Sequence, residues 1–296
     1  MAKRSPTSII LILIAIIAFF IGASLLLAPI TGKKGLLTKS NKVGVVEVTG
    51  MITDAKDTLN HLKKFRESEA IRAIVLRVNS PGGAVGPSQE ILEEINKTKA
   101  KKKVVASLGT LAASGGYYIA SGADVIMANP GTLTGSIGVI MNFTNVEQLL
   151  HKLGLDLFNL KAGKFKDVGS PARPMTPVEK EYIQNLLDNV HEQFIVDVAR
   201  GRGLLAHKVR EVADGRVFTG EMAQSLGLVD KLGNLSDAIE LAGRLGGITE
   251  KIDVVVLPKE KISLLGLLFG EGPGEFLQRW LASASPVPAY LFAPGN

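Results

Sequence analysis

The stretch Leu108–Ile140, LGTLAASGGYYIASGADVIMANPGTLTGSIGVI, decides the fold. It is apolar and glycine-studded, and it sets Ser114 between Ala113 and Gly115 where an apolar segment gives way to a helix start. A serine at such a junction has neighbours whose N–H groups lack intrahelical partners. The helix start also favours a developing negative charge. Two roles are open for Ser114. It can cap the helix, or it can act as a nucleophile whose small neighbours leave room for a carbonyl.

Outward from this stretch, strands alternate with helices. "VGVVEVTGMI" (Val43–Ile52), "AIRAIVLRVN" (Ala70–Asn79), "KVVASLG" and "DVIMANP" read as buried strands, and "LDLFNLKA" as a fifth. Asp54–Ser68 carries Leu59, Leu62 and Phe65 at helical spacing, and "GPSQEILEEINKTK" is a helix that Ser88 is placed to cap. Thr176-Pro177-Val178-Glu179 is a capping box with proline at the first helical position. The helix it opens repeats Val178, Tyr182, Leu186, Val190, Phe194 and Val198 along one drifting face. A helical hairpin follows to about Gly246, then a strand, "KIDVVVLP". Such alternation implies an α/β domain with a mainly parallel sheet and helices packed on it.

Nineteen uncharged residues, Ile9–Leu27, follow Lys3 and Arg4. That length spans a bilayer core, so a retained N-terminal transmembrane helix is expected. A cleaved signal peptide is the competing reading, because Gly22-Ala23-Ser24 supplies small residues. The net charge of +6 is local: residues 1–42 hold six basic residues and no acid, and 43–296 balance at 28 of each sign. A basic excess beside an apolar run suits lipid headgroups and not nucleic acid. The absence of cysteine excludes disulfides, thiolate zinc sites and a cysteine nucleophile. Between Leu264 and Leu281 the apolar tail is broken by "GEGPGE", so it is not a second span.

"NSPGGAV" (Asn79–Val85) is a glycine turn between a strand and a helix. It serves either as a tight connection or as an oxyanion hole. It does not match a phosphate-binding Walker loop. Ser114 would need a base. His61, His151, His191 and His207 lie in charged or helical contexts and read as surface residues. Lysine is the other base open to serine hydrolases, and "LKAGKFKDVGSPARPMT" supplies Lys161, Lys164 and Lys166. A lysine base has to be held neutral, which takes desolvation and no close carboxylate. Asp167 beside Lys166 looks unhelpful on that count.

In this order, "NSPGG", "LAASGGYYIASGAD", "TLTGSIGV", "KAGKFKDVGSPARPMTPVE" and "DGRVFTGEMAQSLGLVDKLG" resemble the signal peptide peptidase A family in its short, single-unit form. The resemblance covers about Val43 to Gly246. It implies a ClpP/crotonase-like domain and a membrane-anchored serine endopeptidase acting on remnant signal peptides. It also implies a ring-shaped homo-oligomer, contact with membrane lipid, and no metal or cofactor. Carried over by motif, Ser114 is the nucleophile and Lys166 the base. Gly83 and Gly115 lend oxyanion N–H groups, and Ser136 orients the lysine. The expected organisation is a tip and anchor at 1–28, a linker at 29–42, the protease domain at 43–257 and a tail of unknown role at 258–296. The expected place is the cell membrane, with the catalytic domain outside. Two other classes compete: an acyl-CoA enzyme of the crotonase type, whose acidic groups the glycine turns lack, and a non-catalytic scaffold, against which Ser114 and Lys166 together argue.

Overall fold

A computed structural model describes residues 41–257 and 288–292. The first four expected strands are present. β1 (Lys42–Thr49), β2 (Ile71–Ser80), β4 (Lys103–Ala113) and β5 (Val125–Ala128) pair in parallel in the order β1-β2-β4-β5. Between β2 and β4 lie the short β3 (Gly82–Ala84) and helix α2 (Val85–Lys99); α1 (Lys56–Glu67) joins β1 to β2. The sheet strands are apolar on both faces because both faces are covered. Val43, Val45, Ala73, Val75, Val105 and Met127 pack on α8 (Leu235–Leu245) through Ala238 and Ala242. The alternate set, including Val46, Ile74, Leu76, Val104, Ala106 and Ile126, packs with Leu62, Ile91, Ile95 and Phe194.

β4 is longer than its apolar core suggests, and it serves two neighbours. Its first half pairs with β5, and its last three residues pair with β6 (Leu133–Gly135), which in turn pairs antiparallel with β7 (Val217–Thr219). Ala113, the final residue of β4, delivers Ser114 to the start of α3 (Gly115–Ser121). Short helices α4 (Glu147–Lys152), α6 (Ala206–Arg210) and α7 (Gly220–Ser225) and strands β8 (Lys231–Leu232) and β9 (Asp253–Val256) complete the domain around the long α5 (Pro177–Arg202).

Three local expectations are corrected. "LDLFNLKA" forms no strand: Leu157, Phe158 and Leu160 are exposed and the segment has no strand partner. Ser88 does not cap α2; it sits one turn inside and its hydroxyl donates to the Ala84 carbonyl at 2.9 Å. The apolar stripe of α5 is buried only at its C-terminal end, where Phe194, Ile195 and Val198 enter the core, while Val178 and Tyr182 are exposed.

The expected N-terminal transmembrane helix is also corrected. Among the described residues no helix is long and apolar enough to cross a membrane. α5 has the length, but it carries charged residues from Glu179 to Arg202 and buries Phe194, Ile195 and Val198 in the protein core. The run Ile9–Leu27 that carried the expectation lies outside the described residues. The anchor, lipid as a partner and the single-pass cell-membrane placement are withdrawn with it. What stands is an α/β sheet-and-helix domain.

Candidate active site

Two chain reversals meet at the ends of β2 and β4. Ser80 pairs with Ala112 in the sheet register, so the turn Pro81-Gly82-Gly83 and the turn Ser114-Gly115-Gly116 lie side by side. Their backbones touch: a methyl group built on Gly82, where φ is +99°, would stand 2.6 Å from the Gly115 nitrogen. Glycine is required there by both conformation and space.

Ser114 does not cap α3. Its backbone has φ 53° and ψ −119°, its N–H donates to the Gly135 carbonyl at 2.8 Å, and its carbonyl accepts from Tyr118 N–H at 2.8 Å. Oγ is buried and has no hydrogen-bond partner among the described residues. A positive φ costs a non-glycine residue about 1–3 kcal/mol, and an unpaired buried hydroxyl costs about 1–3 kcal/mol more. No side-chain hydrogen bond of Ser114 among the described residues offsets these costs. Among the described residues only one other non-glycine residue has positive φ, and it is Ser136, at 51°. It directly follows Gly135, is buried, and its N–H donates to the Arg216 carbonyl at 2.8 Å.

A third segment enters from far along the chain. β10 (Ala289–Leu291) runs antiparallel to β3, with Tyr290 opposite Gly83. On its other side Ala289 exchanges both backbone hydrogen bonds with Ile140, each 3.0 Å, and Phe292 N–H donates to the Pro81 carbonyl at 2.7 Å. The Tyr290 carbonyl oxygen lies in the notch between the glycine turns: added methyl groups at Gly82 and Gly115 would stand 1.9 Å and 3.0 Å from it. The Tyr290 ring is fully buried, with ring centres 4.9 Å from Tyr118 and 4.5 Å from Phe194, and its hydroxyl reaches the Val190 carbonyl at 3.3 Å. Burial, then the Asp197 carboxylate that accepts from Tyr118 at 2.6 Å, push the Tyr118 phenol well above its ordinary pKa. The site thus holds an extended peptide segment between two backbone edges, with a side chain in an aromatic pocket and a carbonyl between Gly82 and Gly115. Beyond Leu291 and Phe292 opens a cavity of about 440 Å³ bordered by Ser136, Asp188, His191 and Asp214.

Residues 96–249, over half of the chain, match the model of peptidase family S49, and residues 35–132 match that of Clp protease. The chain is 44% identical over 229 residues to a putative protease of Synechocystis, covering 76% of this chain and 82% of that one. It is 34% identical over 291 residues to a putative protease of Methanocaldococcus jannaschii, covering 91% and 94%. It is 37% identical over 215 residues to a putative signal peptide peptidase of Enterococcus faecium, covering 68% and 62%. This chain is a serine protease of peptidase family S49.

In this S49 protease the candidate residues do not all converge. Ser114, Gly83, Gly115 and Ser136 belong to one neighbourhood. Lys166 is elsewhere in the sense that matters: its side chain is exposed on the turn after α4, and no hydrogen bond joins it to Ser114 Oγ. The three competing lysines are nonetheless distinct. Lys161 is paired with Asp167, and Lys164 lies 5.4 Å from the Phe165 ring centre. Lys166 makes no ion pair among the described residues. Asp167 is held by Arg173, at 3.0 Å from Nε, as well as by Lys161. The Arg173 and Lys161 hydrogen bonds keep its carboxyl far below the usual carboxylate range.

Two of the four histidines depart from the surface expectation. His61 is buried, and His191 is half-buried with an unpartnered Nε2. His151 and His207 are exposed. Sequence reasoning missed β10, the Tyr118–Phe194 pocket and Arg173. The segment "PVPAYLF" carried the one available signal for β10, a short apolar aromatic run after prolines.

Proposed function

We propose that this S49 protease is an endopeptidase that binds peptides in extended form along β3 and cleaves them with Ser114 as nucleophile and Lys166 as general base. The observation that carries this reading is the seating of 288–292: a backbone carbonyl rests between Gly82 and Gly115, and the strained serine before Gly115 has a hydroxyl with no partner among the described residues. A substrate strand would add to β3 in the same way, with main-chain bonds for affinity and a side-chain pocket for selectivity.

Ser114 Oγ attacks the carbonyl carbon while the neutral Lys166 amine takes its proton. The oxyanion forms against the Gly83 and Gly115 N–H groups, with Ser136 placed to orient the lysine. The ammonium then protonates the leaving amine, and water, deprotonated in turn by the lysine, releases the acyl group. To act this way Lys166 has to be covered and lose its water, because burial disfavours the charged ammonium. The exposed Leu157, Phe158 and Leu160 on the same segment offer apolar contact for whatever covers it.

The substrate class is peptide. Remnant signal peptides were expected from the family resemblance and are not part of this reading. Peptide cleavage by purified protein should disappear in Ser114→Ala and in Lys166→Ala; retained activity in either removes that residue from the mechanism. The crotonase-type alternative has less support, since the turns NSPGGAV and AASGGYY carry no acidic group.

A further inference from the structure

The residue after the proposed base is an acid, and its natural partner would be the ammonium of Lys166. The structure commits that carboxylate elsewhere. Arg173 Nε donates to Asp167 Oδ2 at 3.0 Å and Nη2 lies 2.9 Å from Oδ1, while Lys161 pairs with Oδ1 as well. The same guanidinium forks onto Glu179, at 2.6 Å and 2.9 Å. Glu179 is buried and is the capping-box acid of α5, accepting from Thr176 N–H at 2.9 Å and Thr176 Oγ1 at 3.0 Å. One arginine therefore ties the turn that carries Lys166 to the first turn of α5.

The charged groups facing the Asp167 carboxylate are Lys161 on its own segment and Arg173 on the loop before α5, with Glu179 of α5 behind the arginine. Lys164 lies against Phe165, whose ring stacks on Tyr182 of α5 at 5.0 Å. No other ion pair reaches Asp167 or Lys166 among the described residues.

We propose that Arg173 is a positioning residue for the general base: it withdraws the Asp167 carboxylate from Lys166 and pins the turn to α5, so that the amine can give up its proton. The proposal rests on the Ser114/Lys166 reading. A carboxylate beside an ammonium favours the charged form and raises its pKa, which is the opposite of what a base needs. Arginine suits the task because it stays charged at any working pH and its planar fork engages two carboxylates at once.

The test is the pH dependence of kcat/KM on a fluorogenic peptide for wild type, Arg173→Gln, Asp167→Asn and the double variant, with Lys166→Ala as reference. Arg173→Gln should move the acid limb about one unit alkaline, with about a tenfold loss at neutral pH and recovery toward wild type at high pH. Adding Asp167→Asn to it should bring the limb back. A loss that is equal at all pH values, or a limb that Asp167→Asn does not restore, overturns the proposal. If Arg173→Gln does not fold, Asp167→Asn alone decides: the limb should stay in place because the carboxylate is already withdrawn, and an acid-ward shift overturns the proposal. An active Lys166→Ala would remove the Ser/Lys reading and this inference with it. An inactive Lys166→Ala with an unmoved limb in Arg173→Gln would remove the positioning role alone.

Discussion

Residues 288–292 occupy the place proposed for substrate, so Tyr290→Ala should make the enzyme faster on peptides supplied in trans. The Tyr290 ring is fully buried between Tyr118 and Phe194. Burying a side chain of this size is worth about 2–3 kcal/mol, and each well-placed aromatic pair adds about 0.5–1.5 kcal/mol. Losing about 3 kcal/mol from the docked state shifts its equilibrium roughly a hundredfold toward open, at about 1.4 kcal/mol per decade. The Ala289–Ile140 exchange and the Phe292–Pro81 bond would remain, so docking would weaken without vanishing. Initial rates on a short fluorogenic peptide should then rise by about tenfold or more, up to the ceiling set by how fully the tail is docked in wild type. A chain ending before Pro288 should reach the same ceiling. Tyr290→Phe keeps the ring and gives up only the 3.3 Å bond to Val190, so it should stay near wild type. A folded Tyr290→Ala and a folded truncation that are both no faster than wild type would refute competition between this segment and substrate.

Ser114→Ala should abolish cleavage without lowering Tm, because the hydroxyl it removes is buried and unpaired and its loss relieves a cost of about 1 kcal/mol or more; a clear drop in Tm would show Oγ supporting the fold. Lys166→Ala and Lys166→Arg should both be inactive, the latter because guanidinium keeps its proton, while Lys161→Ala, Lys164→Ala and His191→Ala retain most activity. In wild type the rate should rise with pH on the alkaline side of neutrality, and an inactive His191→Ala beside an active Lys166→Ala would reassign the base. The Arg173 fork, then the Thr176 N–H, lower the Glu179 pKa to about 2 from its ordinary value. A depressed carboxylate pKa gives stability that is complete above the unfolded value and is lost as pH falls through the folded one. Thermal melts should therefore weaken from about pH 4.5 down to about 2, and Glu179→Gln should flatten that slope; an unchanged slope would contradict the pairing.

The central strands could be read because each is a short apolar run closed by glycine, proline or asparagine, and burial on both faces leaves no polar alternation to mislead. "LDLFNLKA" has the same look, but Leu157, Phe158 and Leu160 face outward, and composition cannot tell an apolar segment buried in the sheet from one left for another contact. β6 has three residues, too few for any period. Ser114 could be singled out from its glycine and alanine neighbours, yet its positive φ follows from the register of β4 on β6, which brings Gly135 to its N–H. The pairing of Tyr290 with Gly83 joins distant parts of the chain through backbone atoms, and no residue pattern encodes it. Thr176 and Glu179 were legible as a capping box. That Arg173 would bridge Glu179 to Asp167 was not, since it depends on how the preceding turn folds back.

The central claim is that Ser114 is a nucleophile activated by Lys166, and covalent trapping tests it most directly. Wild-type protein, Ser114→Ala and Lys166→Ala would each be incubated with a serine-reactive phosphonate across a range of pH, and the adduct mapped by mass spectrometry. The account predicts one adduct, on Ser114, forming faster as pH rises in wild type, absent in Ser114→Ala and strongly slowed in Lys166→Ala. Labelling of a different serine, or an adduct on Ser114 that forms equally fast without Lys166, would contradict it.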